Sequence, residues 1–279
     1  MRVLWAALPF AAGPPLADAL DGASGAVRTV ASAGLWAGWS VGMLAAAVPH
    51  PLALTALRVL APAVAVATAA AAAGGHPSAL ASGWAVVLLA WVFAPALGAH
   101  CVNGPAYPNE RRFPLRVPGP LLAGPLLLAW VLAGAGLSAG PLLLAARQWV
   151  AGGAAAVVGV PVAVLLLRSF HNLSRRWTVF VPAGVVLHDP LTLVDPVLFR
   201  RQVVACLAPA PPGGDDVLDL TQAAPGLALE MALTEAVQVR VMRPGRREGR
   251  QEATTRLRFT PTRPGAVLAE ARSRRIRVG

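Results

Sequence analysis

The sequence predicts a membrane α-helical bundle of about five transmembrane helices, followed by a C-terminal, mostly-β domain with one closing helix. Three observations predict this class. Hydrophobic residues make up 56% of the 279 residues and charged residues 13%, whereas soluble domains carry about a quarter charged residues. The mean hydropathy is +0.60. Long apolar runs fill the first part of the chain and short alternating stretches follow them, so lipid must be part of the solvent.

Five stretches are long enough to cross a bilayer, which takes about 20 apolar residues in a helix. None contains Asp or Glu, and they are residues 29–48, 52–73, 80–100, 119–137 and 149–168. The segment PHP at 49–51 separates the first two and predicts a tight helical hairpin. Prolines inside the spans predict kinks, because neighbouring helices in a bundle can satisfy the carbonyl groups that proline leaves free.

Arginines in the short loops predict the orientation, because cytosolic loops carry the excess of basic residues. The segment 103–118 is rich in arginine and the segment 74–78 has none. We therefore expect 103–118 and the tail from about residue 170 to be cytosolic, in a multi-pass protein of the inner membrane. Six arginines are expected to lie beside anionic headgroups: Arg111, Arg112, Arg116, Arg168, Arg175 and Arg176.

The net charge of +11 does not predict a nucleic-acid partner. The arginines collect beside apolar segments, whereas a nucleic-acid interface needs basic residues clustered on one soluble surface. The expected partners are membrane lipids and either another membrane protein or a second copy of the chain.

The N-terminal segment, residues 1–28, permits two interpretations. It has one arginine, a short apolar core and an A-x-A pattern ending at Ala19, which is typical of a signal peptide. Alternatively it is a short membrane or interfacial helix with Arg2 on the cytosolic side. The sequence favours the retained segment, because Pro9 and the Pro14–Pro15 pair interrupt the apolar core. The bundle then covers residues 29–169 and the β domain residues 170–279.

The tail predicts about seven strands and one helix. WTVFV and VVLH flank the turn PAG at 182–184 and predict a β-hairpin. Further strands are expected at about 191–194, 197–207, 216–220, 227–233, 236–242 and 254–260. Loops are expected at 208–216 and 243–252. Thr262 is expected to cap a final helix, in which Val267, Leu268 and Ala271 share one face.

The order of these elements resembles the pleckstrin-homology-like (PH-like) superfamily, including bacterial PH-like domains attached to membrane segments. RRWTVFVPAGVVLHD, VLFRRQVV and RFTPTRPGAVLAEARSRRI carry the resemblance, which covers the last two-fifths of the chain. It implies a PH-like β-barrel that binds a protein or a lipid headgroup. The whole chain also resembles multi-pass membrane proteins of actinobacteria, which implies no activity.

Glycines in the first span predict close helix packing. Gly34, Gly38 and Gly42 share one face at four-residue spacing, and such a face lets another helix approach closely. A dimerisation face and packing within the bundle both fit this pattern. The sequence favours packing within the bundle.

Arg58 is the intramembrane candidate, because an ionisable residue inside a span marks a functional site by default. Its long side chain favours a different interpretation, in which it reaches the cytosolic headgroups. The sequence predicts no catalytic residues, no cofactor and no metal site. Neither Cys101 nor Cys206 has the neighbours of a zinc site, and no two histidines have ligand spacing.

Three functions stay open from the sequence. The leading hypothesis is a membrane scaffold or accessory subunit whose cytosolic domain binds a protein or a headgroup. The alternatives are a small transporter or channel component, and a membrane enzyme that acts on lipid.

Overall fold

The fold is taken from a computed structural model, which describes residues 1–211, 213, 216–243 and 246–279, without the side chains of 243 and 246–248. The helices are α1 (Arg2–Ala6), α2 (Leu8–Ala11), α3 (Gly13–Leu20), α4 (Gly25–Ala47), α5 (Pro51–Ala73), α6 (Ala79–Val92), α7 (Pro95–Asn103), α8 (Gly119–Leu122), α9 (Pro125–Ala145), α10 (Trp149–Ser174) and α11 (Pro264–Ser273). The strands are β1 (Arg111–Pro114), β2 (Trp177–Val181), β3 (Gly184–His188), β4 (Val197–Arg200), β5 (Val204–Pro209), β6 (Leu218–Asp219), β7 (Leu229–Arg243) and β8 (Arg246–Phe259).

The chain divides into two compact units. The helical unit comprises Met1–Gly104 and Leu127–His171, and the β unit comprises Pro105–Leu126 and Asn172–Gly279. Each unit is therefore built from two separate stretches of the chain. The sequence predicted a single boundary near residue 170 and missed that residues 105–126 belong to the β unit.

The expectation of membrane-spanning helices is confirmed in its coarse form. Among the described residues, four helices are long and apolar enough to cross a membrane: α4, α5, α9 and α10. The bent pair α6 and α7 would make a fifth. The expected span at 119–137 is displaced, because α8 and a turn at Gly124, with φ of 149°, precede α9. The fifth span is longer than expected and ends at Ser174.

Helices α6 and α7 meet at a 55° bend before Pro95. Proline lacks the N–H that would continue the helix, so the break falls where the sequence predicts a kink. Helix α6 starts close to the end of α5, and Gly104 packs against the carbonyl of Pro49 just before α5 begins. The bent pair therefore runs back along the whole length of α5.

The N-terminal segment packs into the helical unit along α4. Arg2 donates to the carbonyl of Ala47 at 2.9 Å, near the end of α4, while Arg28 near its start donates to the carbonyl of Leu20 at 3.3 Å. Trp5 is 1% exposed and exchanges indole-to-carbonyl hydrogen bonds with Trp39 at 2.8 and 3.0 Å. Segment and helix thus run antiparallel and are joined near both ends of α4.

The β unit contains two four-stranded sheets. The strand orders are β1-β2-β3-β4 and β5-β7-β8-β6, and all pairings are antiparallel except the parallel pair β6–β8. Both sheets and α11 contribute to one apolar core, around Phe180, Phe199 and Phe259. Strand pairing between described residues does not close the two sheets into a barrel, so the expected barrel is not observed.

Several expected elements of the β unit differ from the structure. Residues 111–114, expected as part of a loop, form β1, and 191–194 form only an isolated bridge at Leu193. The expected strand 197–207 is split into β4 and β5, whereas the two strands expected at 227–233 and 236–242 form the single strand β7 with a register shift. The strand expected at 216–220 shortens to β6.

The turn of the β7–β8 hairpin and the start of the last helix also differ from the prediction. The charged segment 243–252 is mostly strand, because β7 continues to Arg243 and β8 begins at Arg246; residues 244 and 245 lie outside the described residues. The expected loop at 208–216 overlaps the end of β5, and its residues 212, 214 and 215 are likewise not described. Thr262 does not cap α11, whose N-cap position is Arg263.

Candidate functional site: an arginine–tryptophan cluster on the first sheet

Strands β1, β2 and β3 bring basic and aromatic side chains together. Trp177 lies opposite both Pro114 and His188 in the sheet. Its ring stacks on His188 with centroids 5.2 Å apart. Arg112 is two residues from Pro114, so it shares that face of the sheet and reaches Trp177 diagonally. Its guanidinium carbon lies 5.5 Å from the indole centroid, within cation–π range.

We define the arginine–tryptophan cluster as Arg112, Arg175, Trp177 and His188. Burial lowers the pKa of His188, and the positive charges of Arg175 and Arg112 lower it further, while Asp189 opposes them. The imidazole is therefore neutral at pH 7. Arg112 is paired with Glu110 at 2.9 Å, and Arg175 is exposed. One guanidinium lies on the indole face, and the charge of a second acts on His188. Such a pair suits an anionic group, because the arginine fork matches carboxylate and phosphate oxygens.

The other arginines expected at the membrane surface have different surroundings. Arg111 and Arg168 are exposed. Arg116 is half-buried: its backbone N–H donates to the carbonyl of Thr260 at 2.8 Å, and its side chain packs on Gly226. Its Nε has no hydrogen-bond partner among the described residues.

Arg176 corrects the expectation most clearly, because its side chain is only 2% exposed. Its Nε and Nη2 donate to the two carboxylate oxygens of Asp189, each at 2.7 Å, and its Nη1 donates to the carbonyl of Arg116 at 2.6 Å. It therefore cannot serve as a headgroup contact. The hairpin register contained the signal, since Trp177 pairs with His188 and the next residues outward are Arg176 and Asp189.

The three glycines of α4 pack within the helical unit, in part. A Cβ at Gly42 would overlap the indole of Trp5, and a Cβ at Gly38 would lie 3.7 Å from Leu60. At Gly34 it would meet nothing within 4 Å. The contacts of Gly42 and Gly38 agree with the interpretation that the sequence favours, packing within the bundle.

A second close glycine packing lies between α9 and α10 and was not predicted. We call Gly136, Gly140 and Gly159 the glycine seam. A Cβ at Gly159 would lie 2.8 Å from the Cα of Gly136, and a Cβ at Gly140 would lie 2.9 Å from the Cα of Ala156. Backbones that approach so closely are typical of small-residue helix packing in membranes. Helices α9 and α10 therefore form a tightly packed hairpin.

Arg58 lies within α5 at the level of the bend between α6 and α7. Its guanidinium carbon is 5.9 Å from the ring centroid of Phe93, the residue that ends α6. Its Nε has no hydrogen-bond partner among the described residues. The guanidinium therefore lies near the Phe93 ring, and its extension to the headgroups stays a prediction.

Glu230 is the most heavily paired acid of the β unit. It is 6% exposed and receives hydrogen bonds from Arg256 at 2.8 Å and from Arg258 at 2.9 Å. Burial opposes its charge, but the hydrogen bonds and charges of Arg258 and Arg256 outweigh burial and hold the pKa of Glu230 below its ordinary value. This group ties β7 to β8.

The low pKa of Glu230 predicts a dependence of stability on pH. A carboxyl whose pKa is lowered by folding stabilises the fold above its unfolded pKa, about 4.3, and loses that contribution as the pH falls through the folded value. We expect Glu230→Gln to lower the free energy of unfolding by about 2 kcal/mol at pH 7. As the pH falls below ~4.3, the variant should lose less stability than the native chain does. Hydrogen exchange of β7 and β8 at several pH values measures both. Glu235→Gln, at an exposed position, is the control, and equal pH profiles for all three proteins would contradict the prediction.

No group of three or more His, Cys, Asp or Glu in the described part of the chain has metal-site geometry. Both cysteines are free thiols, with Cys101 buried and Cys206 half-buried.

No protein-family model, curated protein or solved structure matches the chain. The resemblances to PH-like domains and to actinobacterial membrane proteins stay predictions.

Proposed function

We propose that the protein is a membrane scaffold or accessory subunit that holds a basic β unit at the cytosolic membrane surface. The pairing of β1 with β2 carries the proposal. Strand β1 precedes the α9–α10 hairpin and β2 follows it, yet Arg111 pairs with Phe180 and Pro114 with Trp177. If both helices cross the bilayer, the two ends of the hairpin lie on one side. The β unit is then joined to the membrane helices by three chain connections, after residues 104, 126 and 171.

The number of crossings supports a cytosolic β unit. If α4, α5, the bent pair α6–α7, α9 and α10 each cross the membrane, they give five crossings, and segment 74–78 then lies opposite the β unit. The exposed Arg111, Arg168 and Arg175 all lie on the β-unit side in this arrangement. This distribution agrees with the excess of basic residues in cytosolic loops.

We infer that the arginine–tryptophan cluster binds anionic lipid headgroups. Trp177 follows the end of α10 by three residues, and tryptophan and arginine at helix ends are typical of the membrane interface. The β unit carries 19 arginines and 11 acidic residues, a net charge of +8. Each arginine near an anionic surface contributes about 1 kcal/mol of attraction. The cluster would therefore fix one edge of the first sheet on the bilayer.

Site-specific crosslinking in native membranes tests this proposal. Amine-directed reagents are unsuitable because the sequence contains no lysine. A photoreactive residue in place of Leu198, which is 44% exposed and lies on the same face of the sheet as Trp177 and His188, should yield lipid adducts that fall about fivefold or more in Arg112→Gln/Arg175→Gln. The matched control is a photoreactive residue at Leu227, which is 50% exposed. If only protein adducts form, the cluster binds a protein partner and not a headgroup. If no adduct depends on the cluster, the inference that it binds headgroups is wrong.

The pKa of His188 provides a second test of headgroup binding. An anion placed between Arg112 and Arg175 would offset the charges that lower this pKa. We expect the His188 pKa to rise when the full chain is moved from phosphatidylcholine to phosphatidylglycerol nanodiscs, as followed by histidine NMR. The rise should be smaller in Arg112→Gln, which controls for the general potential of the anionic bilayer. Equal rises in the native chain and in this variant would contradict headgroup binding at the cluster.

A transporter or channel component is the second candidate, favoured by one observation. Arg58 lies beside the break between α6 and α7, and broken helices often surround the binding sites of transporters. Chloride efflux from proteoliposomes tests it. Efflux that Arg58→Gln abolishes would favour transport, whereas efflux equal to that of empty liposomes would exclude chloride as the transported ion.

A further inference from the structure

A cavity of about 450 Å³ lies between the N-terminal segment, α4 and α5. Its volume is within the range of small-molecule sites, about 300–1,000 Å³. Its lining includes Leu16, Ser32, Trp36 and Val64, and none of the lining residues is charged. The cavity is partly open, and its walls include two of the helices that are long and apolar enough to span a membrane.

Missing side chains create part of this cavity. Gly13 and Gly34 line it from opposite walls, and a Cβ at either position would meet nothing within 4 Å. At Gly38, which also lines it, a Cβ would have a single neighbour at 3.7 Å. The face of α4 that the sequence singled out for helix packing is thus only partly occupied by protein.

An apolar cavity of this kind favours hydrocarbon over water as its occupant. Water needs polar partners, and an apolar cavity stays dry. Lining atoms without neighbours lose dispersion contacts. A cavity that opens between membrane-spanning helices can be filled by the hydrocarbon chains beside it at little desolvation cost, because those chains are already in an apolar medium.

A cation, Arg28, lies near one end of the cavity. Arg28 lies one turn before Ser32, and its guanidinium bonds to the carbonyls of Leu20 and Asp21, at 3.3 and 2.6 Å. Leu20 lines the cavity, so these bonds hold the guanidinium at the rim. The Asp21 carboxylate is 3.8 Å away, and the Arg28 side chain is 47% exposed. A cation at the start of a 23-residue helix favours an anion.

We propose that this cavity binds one acyl chain of an anionic phospholipid whose phosphate contacts Arg28. The site is separate from the arginine–tryptophan cluster and does not depend on the scaffold function. It also gives the N-terminal segment a role as one wall of a lipid site.

Photolabelling of the full chain in phosphatidylcholine vesicles tests the proposal. The probe is a phosphatidylglycerol with a diazirine in one acyl chain, and adducts are located by peptide mass spectrometry. We expect adducts to concentrate on residues 13–20 and 34–39. Gly34→Leu should reduce them about fivefold or more, since its side chain fills space where no protein atom lies. Gly83→Leu is the matched control, because Gly83 also has open space at its Cβ and does not line the cavity.

Two further comparisons separate the parts of the proposal. Gly13→Leu fills the cavity from the other wall and replaces Gly34→Leu if that variant does not fold. Arg28→Gln should lower phosphatidylglycerol labelling about fivefold, to the level of a diacylglycerol probe with the same diazirine chain. Labelling spread evenly over all spanning helices and unchanged by either leucine would overturn the site. Equal labelling by both probes would overturn the role of Arg28.

Discussion

Replacing Asp189 by asparagine is expected to destabilise the β unit by about 3–5 kcal/mol, because it leaves the Arg176 guanidinium buried without its counter-charge. Both side chains are at most 2% exposed, and the two hydrogen bonds between them are 2.7 Å long. Arg176 also holds the carbonyl of Arg116, so the loss extends to the chain that follows β1. Hydrogen exchange of the β1, β2 and β3 peptides in micelles measures the effect.

An exposed ion pair in the same unit provides the control. Arg240 and Asp195 are 3.1 Å apart, with side chains 51% and 64% exposed, and such pairs contribute about 0–1 kcal/mol. Asp195→Asn should therefore change protection little. The double variant Arg176→Met/Asp189→Leu should cost less than Asp189→Asn, because it removes both buried charges. A loss at Asp189→Asn no larger than at Asp195→Asn would contradict the account of this pair.

The second large effect is expected at the glycine seam. Gly136→Leu places a side chain where the backbone of α10 lies, so α9 and α10 must separate. Overpacking in a tight core costs about 1–3 kcal/mol and occasionally more, and backbone cannot yield as a flexible side chain can. Gly134→Leu, two residues away with nothing within 4 Å of its Cβ, is the matched control. Thermal unfolding of the full chain in micelles measures both, and equal melting temperatures would exclude tight packing at the seam.

The membrane helices were predictable because composition and length alone determine them. Strand β1 was not, because its four residues carry no alternation of their own and its partner strand lies beyond two apolar helices. The long β7–β8 hairpin was shortened in the prediction for a related reason. Residues 243–252, at the far end of the hairpin, are rich in charge and lack the alternating apolar residues by which a half-buried strand is recognised.

The candidate site was predictable only in part. The arginine clusters are visible in the sequence, but their separation into exposed Arg175 and buried Arg176 depends on which residue faces Asp189 across the hairpin. The hairpin register contained this information. The glycine seam was missed, although Gly136 and Gly140 have the same four-residue spacing as the glycines of α4. Only the distances between helices distinguish Gly136 from Gly34.

The central claim is that the segments before and after the α9–α10 hairpin form one β unit on one side of the membrane. Labelling of single cysteines with a membrane-impermeant maleimide, in right-side-out and inverted vesicles of Cys101→Ala/Cys206→Ala, tests it directly. Arg111→Cys in β1 and Leu198→Cys in β4 should react only from the cytosolic side, and Pro77→Cys only from the opposite side. Reaction of Arg111→Cys and Leu198→Cys from opposite sides would contradict the claim.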